Sequence, residues 1–296
     1  MKNNKLAILY ALLSVAMWST VATAFKLSLA EMSLLKLLCG ASFFSLCVLS
    51  TFLIIKGQII QAVIDIPSHF KIILVLALLN PVLYYIILFK AYDLLPAQVA
   101  QSLNYTWAIT LTLLSVPLLK HELTKRDFCA IIFAYIGVVF ISFSGKSISG
   151  ELNFSGISLA LFSTLIWALY WLLNARDDRP PIIKLFQSFV LAVPILLFMT
   201  YCVEGFPSRI TIAKLYGMAY IGVFEMGLAF ICWQMALYYT DKVSRVSTLI
   251  FLSPFLSLFI INRVLGEPLF VTTFIGLGLI VLGIIVQQSE KVLPEK

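Results

Sequence analysis

Charge is scarce in this chain: Asp, Glu, Lys and Arg make up 12% of its 296 residues, about half the share usual in a soluble domain. A water-soluble fold of this length needs a polar shell, which so few charges cannot supply. With 61% of the residues hydrophobic, lipid is the solvent that fits. Histidine is scarcer still. Only His69 and His121 occur, in separate polar segments without metal-ligand spacing. Cys39, Cys47, Cys129, Cys202 and Cys232 all fall in or beside apolar runs with no C-x-x-C pair, so they read as small packing residues. No G-x-G-x-x-G, Walker A or G-x-S-x-G pattern is present. These shortages argue against an enzyme, a metal site, a nucleotide-driven device and any bound cofactor.

What is abundant is the long apolar run. Ten runs have almost no charge: Leu6–Phe25, Leu37–Ile55, Ile72–Phe89, Leu94–Leu119, Phe128–Gly145, Leu152–Ala175, Leu185–Val203, Leu215–Thr240, Val246–Asn262 and Pro268–Ser289. Each is close to the ~20 residues that cross a hydrocarbon core as a helix. The runs are continuous and lack the alternation of membrane strands, which favours helices over a β-barrel. The first run has no small-residue cleavage site and reads as a helix, not a leader. With the N-terminus inside, fourteen Lys and Arg fall on the inner face and seven on the outer. Both termini are therefore expected in the cytoplasm, in the cell inner (plasma) membrane. The net charge of +7 is then a topology signal, not a nucleic-acid footprint.

The chain repeats itself. Leu12-Leu13-Ser14-Val15-Ala16-Met17-Trp18 is echoed by Leu161-Phe162-Ser163-Thr164-Leu165-Ile166-Trp167, and Lys36-Leu37 by Lys184-Leu185. Glu122-Leu123-Thr124 is echoed by Glu267-Pro268-Leu269, and Ile136-Gly137-Val138-Val139 by Leu282-Gly283-Ile284-Ile285. The fold class expected is an all-α integral membrane protein of ten helices in two five-helix repeats, 1–145 and 154–296, joined by a linker at 146–153. An odd number of helices per repeat inverts the second half against the first. Inverted repeats are common in secondary transporters, with the solute site near the midplane.

At these residues the sequence resembles the drug/metabolite transporter superfamily, EamA type. The resemblance covers essentially the whole chain. It is clearest over Val246-Ser247-Thr248-Leu249-Ile250-Phe251-Leu252-Ser253-Pro254-Phe255, running on to Leu265-Gly266-Glu267. It implies export or exchange of amino acids, other small metabolites or drugs. It also implies a central cavity lined mainly by predicted helices 1, 3, 4, 6, 8 and 9. Pro254 in helix 9 matches the family pattern. Helix 4 departs from it, with Trp107-Ala108 where members usually carry a proline, and Pro117 later.

Glu225 is the most informative residue. It lies mid-way along predicted helix 8, where an isolated carboxylate costs roughly 2.5–3.5 kcal/mol on insertion scales. It should face protein or water, and bind a substrate amine, a proton, or each in turn; a structural carboxyl bonded to a neighbouring helix is the alternative. The repeat offset aligns Asn80, just before Pro81, with Glu225. Asn80 either faces the same cavity or satisfies the backbone freed by the Pro81 kink. Trp167, Tyr170, Trp171 and Asn174 share one face of helix 6. Trp233 shares a face with Glu225, Trp18 matches Trp167, and Gln101, Asn104, Tyr105 and Ala108 form a stripe on helix 4. The candidate site for substrate or proton is Glu225, Asn80, Gln101, Asn104, Tyr105, Trp18, Trp167, Trp171 and Trp233. Aromatic walls with a few amides suit a mixed apolar–polar solute, although such stripes also serve packing and interface anchoring.

Lys36 and Lys184 are expected to snorkel to headgroups. Glu122 and Glu267 are expected in loops, favouring the positive ends of helices 5 and 10, with Thr124 as an N-cap. Gly137, Gly276, Gly278 and Gly283 fit close packing of helices 5 and 10 on each other or on a second copy. The partners expected are therefore a small-molecule solute, the lipid bilayer and, as an option, a second copy in a homodimer. The function expected is secondary transport of small metabolites, with export of amino acids or related amphipathic solutes by alternating access. A channel-like facilitator and a membrane-embedded enzyme are the competing classes.

Overall fold

The computed structural model describes residues 2–119, 124–149, 152–205, 210–241, 246 and 248–288. Among these residues the chain is helical, with no strands. We label the helices α1 (Asn4–Glu31), α2 (Leu34–Ile55), α3 (Ile59–Ile64), α4 (Pro67–Leu94), α5 (Ala97–Asn104), α6 (Trp107–Leu119), α7 (Lys125–Ser149), α8 (Phe154–Ala175), α9 (Pro181–Glu204), α10 (Ile212–Tyr239), α11 (Thr248–Leu265) and α12 (Val271–Gln288). Eight helices are long and apolar enough to cross a membrane: α1, α2, α4, α7, α8, α9, α10 and α11. α12 is apolar but shorter over its described core, Val271–Val286. The run read as one helix over Leu94–Leu119 is divided between α5 and α6. Large side chains such as Ile55, Ile60 and Val271 are more than 70% exposed, which suits a surface facing lipid tails rather than water.

Helix ends follow local chemistry. Asn3 caps α1 by accepting from the Leu6 amide at 3.2 Å. Asn153 caps α8 by accepting from the Gly156 amide at 2.9 Å, and its amide group donates to the Leu94 carbonyl at 3.1 Å. One side chain thus starts α8 and ties it to the end of α4. α9 opens with Pro181 at its first turn. α11 stops at Gly266, whose φ of +70° favours glycine. Thr124 caps α7 as expected: its hydroxyl accepts from the Asp127 amide at 3.2 Å, and Asp127 accepts in return from the Thr124 amide at 2.9 Å.

The helices pack in a reciprocal pattern. α1 lies on α10 and α11, as α8 lies on α4, α5 and α6. α2 packs on α9, and α7 on α12. The α7–α12 contact is made by glycine: a Cβ on Gly137 would lie 2.5 Å from the Gly276 carbonyl, and one on Gly276 would lie 2.6 Å from the Gly137 carbonyl. Gly283 meets the Ala130 carbonyl in the same seam, whereas Gly278 faces open space.

Two expectations need correction. Lys184 does not snorkel: it is 6% exposed, and its ammonium donates to the carbonyls of Asn174 and Asp177 at 2.8 and 2.7 Å. These carbonyls, at and just past the end of α8, hold the ammonium within the protein. Lys36 pairs with Glu204 at 3.0 Å. Glu267 does not serve α12, the tenth helix expected from the sequence. It accepts from the amides of Ala97 and Gln98 at 2.7 and 3.2 Å, capping α5. Pro96 precedes those amides, so the open end of α5 is the nearest unsatisfied donor pair. Glu122 lies outside the described residues.

Candidate functional site

Both α4 and α10 lose regular α-helical hydrogen bonding near their middles. Each contains a widened π turn, over Leu78–Leu83 and Ile221–Leu228. In α4, Asn80 leaves helical geometry altogether (φ −143°, ψ 118°) just before Pro81, which has no amide hydrogen to donate. In α10 the widened turn carries Glu225. Backbone groups loosened in lipid need partners, and serines from neighbouring helices supply them: Ser45 donates to the Met226 carbonyl at 2.9 Å and Ser14 to the Ala229 carbonyl at 3.0 Å.

α5 and α6 are separated without a proline. The Thr106 amide turns back to the Leu103 carbonyl at 3.1 Å and the Thr106 hydroxyl bonds the same carbonyl at 2.8 Å. A Thr hydroxyl competing for helix carbonyls does here what a proline would do by losing its donor.

A cavity of about 440 Å³ lies between these irregular segments. Of the residues singled out in the sequence, Trp18, Gln101, Asn104, Tyr105, Trp167, Trp171, Glu225 and Trp233 line it. Asn80 does not. It is 1% exposed and sits behind the wall near Tyr170, because its extended backbone turns it away from the opening. Trp107 also lines the cavity, so all five tryptophans of the chain face it.

The rings pack closely. Tyr84 and Trp167 stack with centroids 4.4 Å apart, Trp18 contacts Trp233 at 5.6 Å, and Phe230 contacts both Trp18 and Trp167. Three polar groups are fixed by neighbours. Tyr85 donates to Glu225 Oε1 at 3.0 Å. Asn104 donates to the Tyr84 hydroxyl at 2.9 Å and accepts from Ser163 at 3.3 Å. Among the described residues, three cavity atoms are buried without a protein partner: Glu225 Oε2, Gln101 Oε1 and Trp171 Nε1. Buried polar atoms ordinarily find partners, so these three are poised for a ligand or water.

The two ends of the cavity differ. At one end Phe25 and Tyr92 are 1% and 3% exposed, and Phe25 packs edge-on against Tyr85, Phe89 and Tyr92. Lys26 seals that end by donating to the carbonyls of Tyr92 and Leu95 at 2.7 and 2.9 Å. Beyond it lie Glu267 on the start of α5, and Gln98 held by Thr273 at 2.9 Å. At the other end Trp107, Leu111 and Leu237 are half-buried and Ala175 is exposed.

Tyr84, Tyr85 and Phe230 were not singled out in the sequence. Nothing in their spacing sets them apart from ordinary core aromatics until the packing of α4 on α8 is known. The carboxylate-to-α5 cap was also missed, because it joins residues about 170 positions apart.

The EamA-like transporter family model matches residues 5–143 and again residues 154–287. An uncharacterized transporter of Archaeoglobus fulgidus is 26% identical over 284 residues, covering 94% of this chain and 97% of that protein. An uncharacterized transporter of Acidianus ambivalens is 28% identical over 205 residues, covering 69% and 79%. One of Clostridium kluyveri is 29% identical over 180 residues, covering 58% of this chain and 57% of that protein, so that match spans little more than half of the relative. A crystal structure 20% identical in sequence shares the fold, with a TM-score of 0.67 over 96% of this chain and 97% of the other. A family model that fits nearly all of a chain with eight membrane-length helices among its described residues carries one conclusion: the chain belongs to the EamA-like transporter family and is a multi-pass membrane transporter.

Proposed function

We propose that the chain is a secondary transporter that exports small metabolites, amino acids or related amphipathic solutes, by alternating access. The observation that carries this reading is a midway cavity sealed at one end by Phe25, Tyr92 and Lys26 and bordered at the other by the exposed Ala175. A carrier must present its site to one side at a time, and a pocket shut at one end has the form of one such state. Two five-helix repeats, 1–145 and 154–296, rock about the cavity. The two family matches, the reciprocal packing and the paired π turns support that division. The excess of Lys and Arg supports cytoplasmic termini in the plasma membrane, which makes the bordering Ala175 end the cytoplasmic mouth, as loading for export requires.

In this cycle the solute enters between the aromatic walls, and Glu225 Oε2 takes its amine or, in the return step, a proton. Gln101, Asn104 and Trp171 orient its remaining polar groups, and Trp18, Trp167, Tyr105 and Trp233 form the walls. The test is flux of labelled amino acids and related amines into proteoliposomes, with and without a pH gradient, for wild type and Glu225→Gln. Saturable flux whose pH dependence disappears in the variant is expected. Flux with the same pH dependence in both would reduce Glu225 to a structural carboxyl.

A further inference from the structure

Among the described residues, the cavity wall carries one acidic side chain and no basic one: Glu225 is the single carboxylate, and Lys, Arg and His are absent from the described lining. Among the described residues, the cations next to lining residues are engaged elsewhere. Lys26, next to the lining Phe25, is spent on the carbonyls of Tyr92 and Leu95. Arg176, next to the lining Ala175, donates to the Leu118 carbonyl at 2.8 Å. The unpartnered atoms lean the same way: two acceptors, Glu225 Oε2 and Gln101 Oε1, against one donor, Trp171 Nε1.

Such a wall treats the two ends of an amino acid differently. An ammonium group gains a carboxylate acceptor and the negative faces of surrounding rings. A carboxylate group would leave water with no cation among the described lining residues to receive it and would lie in the same confined space as Glu225. We infer that the solute is a monocationic amphipathic amine without a carboxylate. Its ammonium meets Glu225 Oε2, its apolar or aromatic body lies against Trp18, Trp167 and Trp233, and Gln101 accepts a second N–H or hydroxyl. The inference rests on the transporter reading above and narrows its solute class.

Phenethylamine, phenylalanine and 3-phenylpropionate share one aromatic body and differ in charge. Because all five tryptophans line the cavity, intrinsic fluorescence of the purified protein in detergent reports occupancy without a label. Phenethylamine should bind at least about tenfold more tightly than phenylalanine, whose ammonium can make the same bond but whose carboxylate must leave water unpaired, and phenylpropionate should not saturate. Glu225→Gln should lose that preference by a similar factor while keeping its helical circular dichroism. Glu225→Asp, which keeps the charge, should preserve the rank order. Phenylalanine binding as tightly as phenethylamine would overturn the inference. Absence of saturable phenethylamine binding would overturn it as well. Flux in proteoliposomes separates the two levels. Transport of phenylalanine with phenethylamine excluded sinks the cation preference and leaves the carrier reading standing. Glu225-dependent amine binding without any flux does the reverse.

Discussion

Removing the carboxylate of Glu267 should loosen the sealed end of the cavity, and the structure sets the size of the effect. That carboxylate accepts from the Ala97 amide at 2.7 Å, the Gln98 amide at 3.2 Å and the Gln98 side-chain amide at 3.3 Å. Ala97 and Gln98 are both 0% exposed, so water cannot readily replace the lost oxygens. The Gln98 side chain keeps two other partners, the Pro268 carbonyl at 2.9 Å and Thr273 at 2.9 Å, and contributes little to the loss. Two main-chain amides remain stranded, each costing about 1–3 kcal/mol. With partial relaxation of the loop, Glu267→Ala should destabilise the protein by roughly 2–4 kcal/mol. Glu267→Gln keeps one acceptor and should lose about half of that. The assay is equilibrium unfolding in mixed micelles of dodecyl maltoside and SDS, followed by tryptophan fluorescence and circular dichroism. Glu267→Ala within about 0.5 kcal/mol of wild type, the range of a neutral surface change, would refute the assignment of this carboxylate as the cap of α5.

Gly137→Ala should force α7 and α12 apart, since the new methyl would lie 2.5 Å from the Gly276 carbonyl; a loss of about 1–3 kcal/mol is expected in the same unfolding assay. Gly278→Ala, with nothing within 4 Å, should be neutral or slightly stabilising, since alanine suits a helix better than glycine. In the loop between α8 and α9, burial alone would raise the Asp177 carboxyl, but bonds from the Arg179 side chain and backbone outweigh it and hold the group below the ordinary carboxylate range. Its contribution is therefore complete above the unfolded carboxyl pKa and fades as pH falls through the lower folded value. Asp177→Asn should be less stable than wild type at neutral pH, with the gap closing in acid; a pH-independent gap would contradict this. Tyr85→Phe removes the partner of Glu225 Oε1 and should shift the pH dependence of flux while leaving the helical fold intact.

The reach of sequence reasoning here follows the physics of each signal. Apolar runs of membrane length are a local signal, so eight membrane-length helices among the described residues could be read directly, while the run Leu94–Leu119 is divided and the last is shorter; Glu225 stood out because a charge inside such a run is costly. Stripes at helical spacing brought Trp167 and Trp171 to the right wall. Asn80 was legible as the partner of Glu225 in the repeat, but its direction was not, because an extended residue inside a π turn breaks the periodicity on which facing arguments depend. The break before α6 looked absent for lack of a proline, yet Thr106 makes it with a hydroxyl. Lys184 and Glu267 misled for a shared reason: each serves a helix end that its place in the sequence did not suggest, and only packing reveals which carbonyls or amides it meets.

Counterflow is the most direct test of the carrier account. Proteoliposomes are loaded with a high concentration of unlabelled solute, diluted, and given a trace of the same solute labelled outside. A site open to one side at a time predicts a transient accumulation of label above its equilibrium level, driven by outward movement of the unlabelled pool. A monotonic approach to equilibrium, with no overshoot at any loading, would contradict alternating access and mark the cavity as part of a continuous pore.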